Sequence, residues 1–146
     1  MRNTAAIALT LLAFSLGSCG IHHLSKIGVY QELDAEEYLK HTIADSIIII
    51  DVRTKSEYSK SHIAEAKNVS FFGGHFRKEL EALDLDTTNT ILIYCETQHR
   101  SLFVAKKVYK AGFNNIVDLD KGMMKWRKNN YPWVSSSEEA NLPVND

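Results

Sequence analysis

Three apolar runs in the chain lack the polar alternation of a half-exposed strand. Ile47-Ile48-Ile49-Ile50 is the longest in β-branched residues, Ile91-Leu92-Ile93-Tyr94 the second, and Asn115-Ile116-Val117-Asp118 a shorter third. Such runs suit strands of a parallel sheet buried on both faces. Val29-Tyr30 and Lys67-Asn68-Val69 read as short outer strands. Helical patterns fill the intervals. Asp34 can cap residues 35–41, with Glu37 as its capping-box partner. Residues 55–60 and 76–83 predict two short helices. Leu102, Ala105, Val108 and Tyr109 recur at helical spacing, with Gly112 as the stop, and residues 121–129 form a last helix ahead of Pro132. Alternating strands and helices predict an α/β fold: a parallel sheet of about five strands with helices on both faces.

The pattern before residue 28 is different. Arg2 precedes an apolar run from Ala5 to Leu16, then small residues and a cysteine. A basic start, a short apolar core and small residues at a cut point are signal-peptide features. A run of twelve residues is too short to cross ~30 Å of hydrocarbon as a helix. Leu16-Gly17-Ser18-Cys19 resembles the lipobox of bacterial lipoproteins. The resemblance implies cleavage after residue 18 and lipidation of Cys19, leaving a periplasm-facing domain anchored in the bacterial envelope. Gly20, where an Asp would favour the inner membrane, slightly favours the outer one. The expected organisation is a signal peptide at 1–18, a lipidated Cys and tether at 19–27, one domain at 28–134 and a polar, frayed tail at 135–146.

The length of 146 residues and 45% hydrophobic content fit one globular domain. Net charge is −1 without a basic cluster, which excludes an ordinary nucleic-acid binder. His22 and His23 are adjacent but lack further nearby ligands, so no metal or organic cofactor is expected, and a monomer is. Cys19 and Cys95 are the two cysteines. If Cys19 is lipidated, Cys95 has no disulfide partner, and an unpaired thiol in an oxidising compartment is either buried or used.

In parallel α/β folds ligands bind beyond the carboxyl ends of strands, which directs attention past Tyr94. Cys95-Glu96-Thr97-Gln98-His99-Arg100-Ser101 leads directly into a helix. Unpaired amides at a helix N-terminus stabilise an anion, and the thiolate is the nucleophilic form of cysteine. Arg100 adds positive charge. The expectation is a sulfur exposed in a ring of amide hydrogens, able to carry a sulfur atom covalently. An inert, buried cysteine closing a strand fits the same residues.

Along residues 28–133 the chain resembles the rhodanese (sulfurtransferase) family. Cys95, four residues, then Arg100-Ser101 is similar to the family's loop. Asp51-Val52-Arg53 with Glu57-Tyr58 resembles its Asp-Val-Arg signature, and His62 to Val69 its Gly-His-Ile stretch. Gly112-Phe113, Gly122, Trp126 and Tyr131-Pro132 resemble the closing segment. The resemblance implies that Cys95 takes sulfane sulfur from a small donor and passes it to a thiol or cyanide acceptor. Glu96, Thr97, Gln98, His99, Arg100 and Ser101 would hold the substrate. Asp51, Arg53, Glu57 and His62 would be structural, with an Arg53–Glu57 pair and a local His62 hydrogen bond. Related phosphatases have five residues between Cys and Arg, so four favour sulfur over phosphate. His99 is expected to face solvent. A binding or redox-sensing module is the alternative.

Four positions depart from the family's pattern. Glu96 stands where a basic residue is common. At ~5 Å and an effective dielectric near 20 its repulsion of a thiolate would be of order 3 kcal/mol before screening. Gln98 replaces a glycine and needs a backbone that glycine adopts more readily. Ser61 and Glu65 also stand where the family often has glycine.

Overall fold

The computed structural model describes residues 20–139. The signal-peptide and lipidation readings at 1–18 and Cys19, and residues 140–146 of the tail, lie outside them. The elements run β1 (Tyr30–Leu33), α1 (Ala35–Thr42), β2 (Ile47–Asp51), α2 (Lys55–Lys60), β3 (Lys67–Asn68), α3 (Phe76–Glu81), β4 (Thr90–Tyr94), α4 (His99–Lys110), β5 (Ile116–Leu119), α5 (Gly122–Lys128) and α6 (Ser136–Glu139). The five strands form one parallel sheet in the order β1-β5-β4-β2-β3. The expected α/β architecture is therefore present, with β4 in the middle.

Alternation along each strand divides the core in two. Ile49, Leu92, Val117 and Leu119 face Tyr38 of α1 and Met123 and Trp126 of α5. Ile50, Ile91, Ile93 and Ile116 face Phe76 and Leu80 of α3 and Val104, Ala105 and Val108 of α4. Burying each large apolar side chain contributes roughly 1.5–3 kcal/mol, so both faces must be covered, as the uninterrupted apolar runs require.

Local chemistry sets the helix ends. The Asp34 carboxylate accepts from the amides of Glu36 and Glu37 at 2.9 and 3.0 Å. Glu37 does not complete a capping box as expected; its carboxylate takes Lys40 at 3.0 Å instead. The box forms at α2, where Thr54 and Glu57 satisfy each other's amides. Gly112 follows α4 with φ +104°, as its stop role requires.

Residues 20–26, read from the sequence as part of a tether, are helical. Leu24 is only 3% exposed within the α4-side core, and Ile21 packs beside it. The spacing of these two residues puts both on one helical face. At the other end, Val134 exchanges backbone hydrogen bonds with His62 at 2.8 and 2.9 Å, and α6 follows, so the described part of the tail is tied down. Among the described residues no helix is long and apolar enough to cross a membrane.

Candidate active site

Cys95 lies directly beyond β4, at the carboxyl edge of the sheet. Its sulfur touches the first turn of α4: Ser101 Oγ lies 3.8 Å from Sγ. The first amide of that helix to reach a backbone carbonyl is Leu102, which donates to Gln98 O at 3.2 Å. The amides of His99, Arg100 and Ser101 have no intrahelical acceptor, so their positive end adjoins the sulfur.

Backbone contacts with α5 turn the loop. The amides of Met123 and Met124 donate to the carbonyls of Cys95 and Glu96 at 2.8 and 3.0 Å. Because peptide units are planar and trans, the amides of Glu96 and Thr97 point away from α5. Gly122, with φ +56°, makes this approach possible: a Cβ there would lie 2.3 Å from Cys95 O. Gln98 adopts φ +75°, the glycine-like geometry expected of it. Glu65 does the same at φ +64°, whereas Ser61 is extended at φ −167° and needs no glycine.

The sulfur is not exposed as expected. Cys95 is 0% exposed and belongs to the apolar cluster with Ile93, Val52 and Val104. Position on an inward-facing strand register explains the burial. The loop residues around it are closed by ion pairs.

Arg100 donates to both Glu57 oxygens, at 2.8 and 2.6 Å. Its guanidinium also stands 5.7 Å from the ring of Phe72. Hydrogen bonds from Arg100 hold the Glu57 carboxyl down to about 2, against the effect of burial and with help from Thr54. The expected Arg53–Glu57 pair does not form, because Glu57 folds back onto Thr54 and faces α4. Arg53 instead grips Asp51, two residues back, through Nε at 3.0 Å and a terminal nitrogen at 2.6 Å, and also donates to Ser61 O. Burial opposes the Arg53 charge, and the carboxylates of Asp51 and Glu96 more than offset it.

Glu96 turns towards this network. It accepts from Arg53 at 3.0 Å and from Arg127 of α5. Its charge is thus matched by two guanidiniums, and the repulsion expected from an unpaired Glu96 does not apply. His62 makes the expected local hydrogen bond, its Nδ1 to Tyr58 O at 2.8 Å, and its ring stacks on Tyr58. Thr97 and His99 meet at 3.2 Å on the exposed rim.

The rhodanese-like domain model matches residues 34–129, more than half of the chain. The chain belongs to the rhodanese-like domain family. Among curated relatives, a Bacillus subtilis (strain 168) protein, YrkF, provisionally named as a sulfur carrier, is 28% identical over 117 residues, covering 80% of this chain and 61% of its own length. The chloroplastic thiosulfate sulfurtransferase 16 of Arabidopsis thaliana is 26% identical over 104 residues, covering 62% of this chain and 87% of that protein. The family is thus one of sulfur transfer. The chain spans only about half to three-fifths of the length of the first curated relatives it matches. Among solved structures, a rhodanese-related protein from Thermoplasma volcanium superposes with a TM-score of 0.62 at 23% identity, over 72% of this chain and 98% of that one. The BH2092 protein from Bacillus halodurans gives 0.62 at 25% identity, over 88% and 93%.

Two features of this rhodanese-like domain escaped the sequence. Arg127 carries no signal beyond a charge in a helix, yet it reaches the loop because α5 packs its N-terminus against Cys95. Asp118 reads as an ordinary strand residue, but it is buried directly behind the loop. Tyr30 OH donates to its Oδ2 at 3.0 Å. Burial pushes the Asp118 carboxyl up to about 8, against the hydroxyls of Ser101 and Tyr30.

Proposed function

We propose that this protein is an envelope-anchored sulfurtransferase that carries sulfane sulfur on Cys95. The observation that carries the reading is the placement of Cys95 Sγ against the first turn of α4 at the carboxyl edge of the sheet, with Ser101 Oγ 3.8 Å away. The Cys95 thiolate attacks the outer sulfur of a donor such as thiosulfate. The new S–S bond forms as the donor's S–S bond breaks, and sulfite leaves with the electron pair. A nucleophile such as cyanide or a thiolate then takes the outer sulfur and returns Cys95 as thiolate. Arg100 and the amides of residues 96–101 would hold the donor and the persulfide anion.

Burial of the sulfur means that the loop must open for a donor, and Arg100 is the residue placed to leave Glu57 for it. Exposure of the purified chain to thiosulfate, a polysulfide and glutathione persulfide should add the mass of one sulfur at Cys95, visible by intact-mass analysis. Thiocyanate formation from cyanide should disappear in Cys95→Ser. No adduct with any of the three donors would reject the reading. Anchoring rests on Leu16-Gly17-Ser18-Cys19. It predicts that Cys19→Ser moves the protein from the membrane fraction, the outer membrane by preference, to the soluble fraction.

A binding or redox-sensing module is favoured by one observation, the fully buried thiol beneath paired Arg100 and Glu57. It predicts negligible turnover and a partner whose capture survives Cys95→Ser.

A further inference from the structure

Cys19 is one peptide bond from Gly20, and the fold fixes where Gly20 lies. Ile21 and Leu24, on the helical segment that follows, pack into the α4-side core. A Cβ on Gly20 would stand 2.6 Å from Cε of Lys106 on α4. Consecutive Cα atoms are about 3.8 Å apart, so a lipid carried by Cys19 would leave the domain beside α4.

The outer face of α4 is basic and aromatic together. The helix carries Arg100, Lys106, Lys107 and Lys110 and no acid. Residues 20–29 and 70–75, which flank it, add Lys26 and no carboxylate, in a chain where 18 acids outnumber 17 Lys and Arg. Phe103 and Phe72 are each 55% exposed. Phe71 links them, its ring 5.3 Å from Phe72 and 6.3 Å from Phe103. The Lys107 ammonium lies over Phe71 and Phe76 at 5.4 and 5.6 Å, so cations and rings interleave. A merely solvated helix face accounts for the lysines but not for contiguous exposed rings.

We propose that the outer face of α4, with Phe71 and Phe72, is a membrane-contact surface that rests on anionic phospholipid headgroups. Aromatic rings settle at headgroup level, and lysines reach the phosphates over apolar stems. The inference deepens the anchoring part of the proposed function and rests on it for the tether. Tethering makes a weak surface contact intramolecular, so a few charges suffice: each lysine near an anionic bilayer favours the contact about fivefold, or about 1 kcal/mol. An acidic protein would match the lysines too, but the tether brings a bilayer to this face. The α5 helix is basic as well. It lies across the sheet from Gly20, and α1, which meets it through Tyr38 and Trp126, exposes Glu36 and Glu37.

The test is photo-cross-linking of the full, processed chain in phosphatidylcholine vesicles with and without phosphatidylglycerol, using a lipid with a diazirine on its headgroup. Intact mass reports beforehand whether Cys19 bears lipid. In the anionic vesicles adducts on α4 and residues 70–76 should outnumber those on α5 by about tenfold or more, and salt should shrink the excess. Lys107→Glu combined with Lys110→Glu should cut that ratio more than about tenfold, since two favourable charges become unfavourable. Phe103→Ser should cut it several-fold with the charge unchanged. All three positions are exposed, so the variants should keep the fold. An even ratio would overturn the proposal. So would the same ratio with and without phosphatidylglycerol, which would leave the lysines to an acidic protein. Lipid on Cys19 with adducts spread over every face rejects the surface and leaves anchoring standing. An unlipidated chain labelled on the α4 side upholds the surface and rejects anchoring, and one without adducts rejects both.

Discussion

Arg100 and Glu57 join the end of the Cys95 loop to the start of α2 through two parallel hydrogen bonds, at 2.6 and 2.8 Å. This geometry is the strong, bidentate form of a charge-assisted pair. It fixes the only loop side chain that brings a guanidinium to the sulfur's side, and it keeps that guanidinium away from a donor until the pair opens.

Replacing Glu57 by Gln should free Arg100 and expose Cys95. Reaction of Cys95 with a neutral alkylating reagent should accelerate, while stability at pH 7 falls by about 1–3 kcal/mol. The carboxyl is held at about 2 against an ordinary 4.5. A lowered folded-state value gives stability that is complete above about 4.5 and lost as pH falls towards 2. The gap between wild type and variant, measured by urea denaturation, should therefore shrink from pH 7 to pH 3. An equal gap at both would contradict the ion pair as its source.

Arg127 balances Glu96 without touching Cys95. Arg127→Met should leave Glu96 with Arg53 alone and a more negative loop. Transfer from thiosulfate should drop several-fold, and transfer from an uncharged organic trisulfide much less, as steady-state rates would reveal. Equal losses with both donors would assign Arg127 to structure only.

The layer arrangement was legible in the sequence because its signal is periodic. The isoleucine run of β2 and the helical spacing of Leu102, Ala105 and Val108 dictate what must be buried, and burial dictates the sheet. The strained backbone at Gln98 was legible too, since a glycine-like position announces itself through one residue. Side-chain pairing was not. Glu57 could reach Arg53 four residues away or Arg100 across the sheet edge, and only the folded path, with Glu57 turned back onto Thr54, decides. Glu96 looked like an unpaired charge because its second partner, Arg127, is 31 residues distant in sequence. Asp118 gave no hint of its burial, because one acid at the end of an apolar run fits an exposed strand end equally well.

Gly122→Ala should be among the most damaging single-methyl additions. The new carbon would sit 2.3 Å from Cys95 O and 2.8 Å from Glu96 C, both backbone atoms that cannot rotate away, at φ +56°. Either α5 retreats, breaking the Met123 and Met124 hydrogen bonds to the loop, or the loop shifts. A loss of 2 kcal/mol or more is expected from overpacking and backbone strain together. Denaturation curves would measure it, and persulfide formation at Cys95 should fall even under conditions where the variant remains folded. A variant of wild-type stability and full sulfur loading would show that the α5 contact does not shape the loop.

Asp118→Asn should stabilise the protein at neutral pH. The carboxyl is raised from 3.8 to about 8 by burial, so the folded state retains a proton that the unfolded chain has released. Between those values the native form binds more protons than the unfolded one, and stability falls as pH rises. Below about 3.8 both states are protonated and the cost vanishes. An asparagine keeps the neutral shape and the acceptor for Tyr30 but never ionises in the unfolded chain. The variant should therefore match wild type near pH 4 and exceed it at pH 7 by on the order of 2–4 kcal/mol, the size of a shift of this extent. Thermal unfolding across that interval would trace the difference directly, and a variant less stable than wild type at pH 7 would mean that Asp118 is ionised and paired in the native protein.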